Sequence, residues 1–173
     1  EKSITFPEPV RPDFVPSDAY VKPEYVELEE RKLWPKVWLI AARLEEIEKP
    51  GDYVTFDIGN ESILIVRQRD GAIKAFYNVC QHRGRRLKDG HCGRTGKVMR
   101  CNFHGWRYNL DGSVESILNR FDWEGCPTFS DEQVNLKEVR HDTWGGWVWI
   151  TMDPDIEPLI DYLQPVADLL APY

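Results

Sequence analysis

Short apolar runs, separated by turn residues, fill the middle of the chain. Tyr53-Val54-Thr55-Phe56-Asp57-Ile58 and Ser62-Ile63-Leu64-Ile65-Val66 lie on either side of Gly59-Asn60. Ala72-Ile73-Lys74-Ala75-Phe76 follows across Arg69-Asp70-Gly71, a hairpin signal. Val37-Trp38-Leu39-Ile40-Ala41 precedes them, with a turn at Pro50-Gly51-Asp52. Val98-Met99-Arg100, Trp106-Arg107-Tyr108 and Ser113-Val114 continue the pattern, the last two flanking Asn109-Leu110-Asp111-Gly112. Residues 136–141 and 146–150 close it. Strands this short, with turn signals about every ten residues, predict a mainly β fold, a small antiparallel sandwich or barrel.

The two ends break the pattern. Residues 1–23 carry Pro7, Pro9, Pro12, Pro16 and Pro23 and read as an extended arm without helix. Residues 23–34 predict a helix: proline suits the first turn, acids come early, Arg31 and Lys32 come late, and Pro35 ends it. After Asp153-Pro154, residues 158–163 and 166–170 look helical, with apolar side chains that have no evident partner in the β segment. That tail reads as the start of something larger. The expected division is an arm and helix over 1–36, a β domain over 37–152, and a linker or start of a further domain over 153–173.

Composition changes this picture little. A hydrophobic share of 42% and a charged share of 29% are ordinary for a globular protein, and seven each of Trp, Tyr and Phe supply a core. No apolar run approaches the roughly 20 residues that span a membrane. Four cysteines in a chain this size do not make a secreted disulfide framework, so a cytoplasmic location is expected.

Charge is uneven. Residues 80–107 hold eight basic residues against Asp89 alone, +7 in a chain of net −7, so the rest carries −14. One basic stretch on an acidic protein argues against nucleic-acid binding and fits docking of an acidic protein surface.

The candidate chemistry lies in that stretch. Cys80-Gln81-His82-Arg83-Gly84 and Cys101-Asn102-Phe103-His104-Gly105-Trp106 each follow strand-like sequence. Two thiolates and two imidazoles can hold zinc tetrahedrally. They can also hold a [2Fe-2S] cluster, with the cysteines on one iron and the histidines on the other. Zinc fingers usually pair like with like, whereas here each loop offers one Cys and one His, which suits two metals reached by both loops. Gly84 and Gly105 are expected to let backbone N–H groups approach bridging sulfides. Cys92 and Cys126 read as ordinary thiols, His91 as a turn residue and His141 as a satisfied structural histidine. Trp106 is expected to cover the site against water.

These two loops resemble the Rieske [2Fe-2S] motif, in the variant of the large α subunit of ring-hydroxylating (Rieske non-haem iron) oxygenases. Arg83 stands where respiratory Rieske proteins usually have Leu. Arg85 and Phe103 stand where those proteins carry a disulfide. The flanks are similar too, at Trp34-Pro35-Lys36-Val37-Trp38, Pro50-Gly51-Asp52-Tyr53, Gly105-Trp106-Arg107-Tyr108 and Gly146-Trp147-Val148-Trp149-Ile150.

The resemblance implies a cluster-binding subdomain at 80–107. Cys80 and Cys101 would ligate one iron, His82 and His104 the other, with Arg83, Gly84, Gly105 and Trp106 around them. It implies electrons accepted from a ferredoxin or a flavin/iron-sulfur reductase and passed to the mononuclear iron of a neighbouring subunit's catalytic domain, in a trimer. That second iron, held by two histidines and a carboxylate, is expected only in a domain this chain lacks, since His91 and His141 alone remain. The fragment is therefore expected to carry electrons and hydroxylate nothing. A stand-alone Rieske carrier and a structural zinc module are the alternatives.

Overall fold

The computed structural model describes residues 15–127 and 129–171, so the prolines at 7, 9 and 12 lie outside the described residues. Ten strands form three antiparallel sheets. β1 (Leu39–Arg43), β10 (Trp147–Thr151) and β9 (Arg140–Trp144) make the first, in that order. β4 (Ile73–Tyr77), β3 (Glu61–Arg67), β2 (Asp52–Ile58) and β5 (Cys92–Arg94) make the second. β6 (Val98–Arg100), β7 (Arg107–Asn109) and β8 (Val114–Ser116) make the third.

The apolar run at 63–66 explains how the sheets stack. Successive side chains on a strand point to opposite faces. Ile63 and Ile65 enter one core with Val54, Ala75, Val148 and Ile150. Leu64 and Val66 enter the other with Phe76, Met99, Trp106 and Tyr108. β3 is thus covered on both faces, which is why it lacks polar alternation. The β1-β10-β9 sheet covers one side, and the β6-β7-β8 sheet with its loops covers the other. Each fully buried aliphatic side chain contributes roughly 1.5–3 kcal/mol.

The structure shifts several sequence-based boundaries. β1 starts two residues after the expected run, because Trp38 instead turns inward, 5% exposed, and donates from its indole N–H to the Glu157 carbonyl at 3.0 Å. The expected strand at 136–141 is mostly a connector. Leu136 fills the second core and Val139 the first, joined to the middle sheet by a single bridge between Phe76 and Glu138. β5 was not expected, since Cys92-Gly93-Arg94 has no apolar alternation; it pairs with the start of β2 through the backbone ladder and the Arg94–Asp52 ion pair. The capping box of Ser130 and Gln133, opening the one-turn helix α3 (Asp131–Val134), was also passed over.

At the N-terminal end, α1 (Asp18–Val21) places a helical turn inside the supposedly extended arm, closed by the Lys22–Asp18 ion pair at 2.6 Å. α2 (Pro23–Lys32) forms where expected but stops before Leu33, and Trp34–Lys36 is a 3-10 turn that carries Pro35. The C-terminal helices α4 (Leu159–Tyr162) and α5 (Val166–Leu170) are present. Contrary to expectation they find partners, because Leu159 and Ala167 are buried and α4 packs on β9. Ile160, Val166, Leu169 and Leu170 stay exposed.

Candidate metal centre

Both Cys/His loops leave the end of a strand and share one backbone frame. The Cys80 N–H donates to the Arg85 carbonyl at 2.8 Å, and the Gly84 N–H donates back to the Cys80 carbonyl at 3.0 Å. In the second loop the Cys101 N–H donates to Trp106 at 2.8 Å and the Gly105 N–H to Cys101 at 3.1 Å. Closing so tight a turn takes the left-handed backbone that glycine adopts without strain, and Gly84 and Gly105 have φ of +69° and +74°. Their N–H groups are therefore spent on the cysteine carbonyls. The two glycines thus shape the turns that bring the loop backbone close to the cysteines.

Asn78 anchors the base of the first loop. It is fully buried, and its amide makes four hydrogen bonds: donating to Ser62 Oγ and the Lys88 carbonyl, and accepting from the Leu87 and Lys88 N–H groups. With both halves of the amide satisfied, burial carries no penalty and the loop is tied to β3. Only its position two residues before Cys80 hinted at this.

The loops bring the two cysteines together in the second core, 1% and 2% exposed. Burial pushes the Cys80 thiol up; the Tyr108 hydroxyl and the His82 backbone N–H oppose that, and the neighbouring Cys101 adds to it. The Tyr108 oxygen sits 3.4 Å from Cys80 Sγ and accepts the Gln81 N–H at 3.1 Å. With that lone pair engaged, the hydroxyl proton is available to the sulfur. Burial, then Cys80, pushes the Tyr108 phenol far above its usual range, so it stays a donor.

His82 and His104 lie further out, half-buried, with ring centroids 4.7 Å apart. Burial, then His104 and Arg83, holds the His82 ring below its usual range. Trp106 stacks on His82 at 4.9 Å and 9°, so it backs the first loop's histidine. Trp123 closes edge-on over both rings and was not foreseen, because residues 120–129 have no recognisable period. Phe103 lies against His104 at 3.8 Å and remains 58% exposed.

The donor set passes a fit test for a two-iron cluster. His104 Nδ1 is buried with no hydrogen-bond partner, the sole such side-chain atom among the described residues. An orphaned buried nitrogen forfeits its hydration unless something outside the chain binds it. No group of three or more His, Cys, Asp or Glu among the described residues is placed to hold a single ion. A tetrahedral zinc needs such convergence. A Rieske cluster needs a thiolate pair on one iron and an imidazole pair on the other, and the side chains fall into those two pairs.

The remaining candidates are structural. His91 Nδ1 lies 3.1 Å from the Thr55 carbonyl, and the His91 carbonyl accepts the Thr55 N–H at 2.7 Å, fixing β5 beside β2. The two ring nitrogens of His141 lie 2.8 Å from the Ile73 carbonyl and 3.2 Å from that of Val139. Cys92 and Cys126 are exposed thiols, not a disulfide. No helix among the described residues is long and apolar enough to cross a membrane.

Residues 37–122 match the Rieske [2Fe-2S] domain family. The chain is 36% identical over 149 residues to the carnitine monooxygenase oxygenase subunit of Escherichia coli K12, covering 86% of this chain and 39% of that protein. It is 34% identical over 150 residues to the large oxygenase component of the naphthalene 1,2-dioxygenase system of Pseudomonas putida, covering 86% and 33%. The solved apo structure of the quaternary ammonium Rieske monooxygenase CntA superposes with a TM-score of 0.82 at 30% identity, over 92% of this chain and 45% of that one. The chain thus spans less than half the length of these relatives.

Proposed function

This chain belongs to the Rieske [2Fe-2S] domain family, and on that footing we propose that it is the electron-transfer unit of a Rieske oxygenase. Cys80 and Cys101 hold the inner iron, and His82 and His104 hold the outer one through their inward nitrogens. The observation that carries the assignment is the orphaned, buried His104 Nδ1, within the residues that match the Rieske domain family. Residues 37–152 form the cluster-binding domain, preceded by the arm and helix over 1–36.

When bound, such a cluster takes up and releases one electron at roughly −150 to +300 mV, against about −400 mV for plant-type ferredoxins. The chain's own residues set where in that range it works. Tyr108 donates toward Cys80 Sγ, which stabilises negative charge on sulfur and raises the potential. Trp106, Trp123 and the surrounding core limit water at the histidines. Asn78 and the matched cysteine turns hold both loops in register, so that little reorganises when the charge changes.

The electron arrives from a ferredoxin or reductase and leaves for the mononuclear iron of a neighbouring subunit's catalytic domain, in a trimeric cytoplasmic assembly. The half-buried His82 and His104 mark the exit, with exposed Phe103 beside them as an apolar contact. Relatives named for carnitine and for naphthalene share this domain, so its task is common to both chemistries and the substrate is selected elsewhere. Iron and acid-labile sulfide analysis tests the reading: equal iron and sulfide, two of each per chain, supports it. One zinc and no sulfide rejects it in favour of a structural metal module.

A further inference from the structure

The basic stretch at 80–107 divides sharply once folded. Arg85 pairs with Asp89 at 2.7 Å, Arg86 with Asp57 at 3.0 Å and Arg94 with Asp52 at 2.7 Å. Lys88 is half-buried over the Tyr53 ring, 5.1 Å from its centroid. These charges are answered within the chain and need no partner.

Arg100 and Arg107 are different. They are direct partners across β6 and β7, and because Met99 and Tyr108 fill the core, both arginines point to the outer face. Like charges placed directly opposite on neighbouring strands destabilise a sheet. Only Arg107 finds an acid, Glu115 at 3.2 Å, and that contact is half exposed. Arg100 makes no ion pair among the described residues. A local conflict of this kind, with no compensating gain inside the fold, is expected at functional sites.

The pair lines an open groove of about 550 Å³, together with Val98, Ser116, Ile117 and Leu118. Gly105 forms its end nearest the metal centre, and the Arg100 guanidinium lies 3.8 Å from where a Cβ on Gly105 would stand. Gly105 directly follows His104. The groove therefore places the unpaired Arg100 one residue from a proposed iron ligand, and through Arg100, Gly105 and Leu118 it adjoins the cleft that holds His82, His104 and Trp123.

We propose that this arginine groove is the docking site of an acidic electron-donor protein. The proposal rests on the reading that the chain receives electrons from such a protein, and it names where. Carboxylates of the donor would relieve the Arg100–Arg107 opposition, and Val98 and Leu118 supply the apolar contact that a small anion does not need. One electron then leaves the donor, which is oxidised, and enters the cluster, which is reduced.

The test mixes the oxidised, cluster-loaded chain with reduced plant-type ferredoxin, an acidic carrier, in a stopped-flow instrument. Dithionite in a parallel run reports cluster competence without docking. Electrostatic steering raises association rates by 10- to 1,000-fold. Arg100→Gln and Arg107→Gln should therefore slow ferredoxin-driven reduction about tenfold or more at low ionic strength. Salt should erase the difference. Arg69→Gln, at the β3–β4 turn, should match the wild type, and dithionite should reduce all variants alike. Equal ferredoxin rates in the wild type and both groove variants would overturn the proposal. So would a loss confined to Arg83→Gln, which puts the donor on the histidine rim. A groove variant whose oligomeric mass changes would also overturn it, by giving the face to a neighbouring subunit. A wild type with no dithionite-reducible cluster overturns the electron-transfer reading itself.

Discussion

Tyr108 and Asn78 show how single side chains set the properties of the centre. Tyr108 accepts from Gln81 and lies 3.4 Å from Cys80 Sγ, where its hydroxyl can donate to a thiolate. Tyr108→Phe removes that donor while keeping the ring in the core, so the reduced state loses stabilisation. The potential should fall by roughly 30–60 mV, the one-electron equivalent of about 0.7–1.4 kcal/mol, in a redox titration. An unchanged potential would mean that the hydroxyl serves only the Gln81 N–H. Asn78→Ala strands the Leu87 and Lys88 N–H groups and should cost about 3 kcal/mol in a urea melt. It should also lower iron content. The sequence singled out Cys80, His82, Cys101 and His104 as candidate ligands because metal chemistry restricts residue type and spacing. It disclosed neither Asn78 nor Trp123, whose roles depend on contacts with β3 and with the His82 and Trp106 rings that no local pattern encodes.

Elements respond to close approach and to charge. The β7–β8 turn packs so tightly that a Cβ on Gly112 would lie 2.4 Å from the Phe76 ring, at a φ of +87°. Gly112→Ala adds both a clash and backbone strain, and should lower stability by about 2–4 kcal/mol, read as a shift in the urea midpoint. Gly71→Ala, in open space at the same φ of +87°, separates the strain from the clash and should cost less.

The edges of β2 are tied by ion pairs. The hydrogen bond from Arg94 holds the Asp52 carboxyl below 3.8, and hydrogen bonds from Ser62 and then Arg86 do the same for Asp57. A carboxyl lowered on folding contributes stability above its unfolded pKa and loses it as pH falls through the folded value. Stability should therefore be flat near neutrality and decline below about pH 4. Asp52→Asn should flatten part of that decline in melts taken across the acid range. A variant with the full acid slope would remove Asp52 from the account. Element existence was readable where burial leaves short apolar runs bounded by turn residues, as in β2 to β4. It was not readable for β5, whose pairing to β2 leaves no apolar trace, nor for residues 136–139, where an apolar connector crosses between cores and looks like a strand.

The whole molecule sets three layers so that one core holds the thiols while the loops present the imidazoles outward. The fold class and the loop pairing were legible in the sequence. The sorting of the basic stretch was not, because which arginine meets which acid depends on strands far apart in the chain, as with Arg86 and Asp57. That sorting leaves Arg100 without an ion pair among the described residues, opposite Arg107 and beside the cleft that holds His82 and His104.

The central claim is two nitrogens on one iron and two sulfurs on the other. Electron paramagnetic resonance of the dithionite-reduced chain, with pulsed detection of nitrogen couplings, tests it most directly. A rhombic signal of low average g is expected, with couplings from two imidazole nitrogens, of which one is lost in His104→Cys and the His82 coupling remains. A signal without nitrogen coupling, or no signal from a protein that holds zinc, would contradict it.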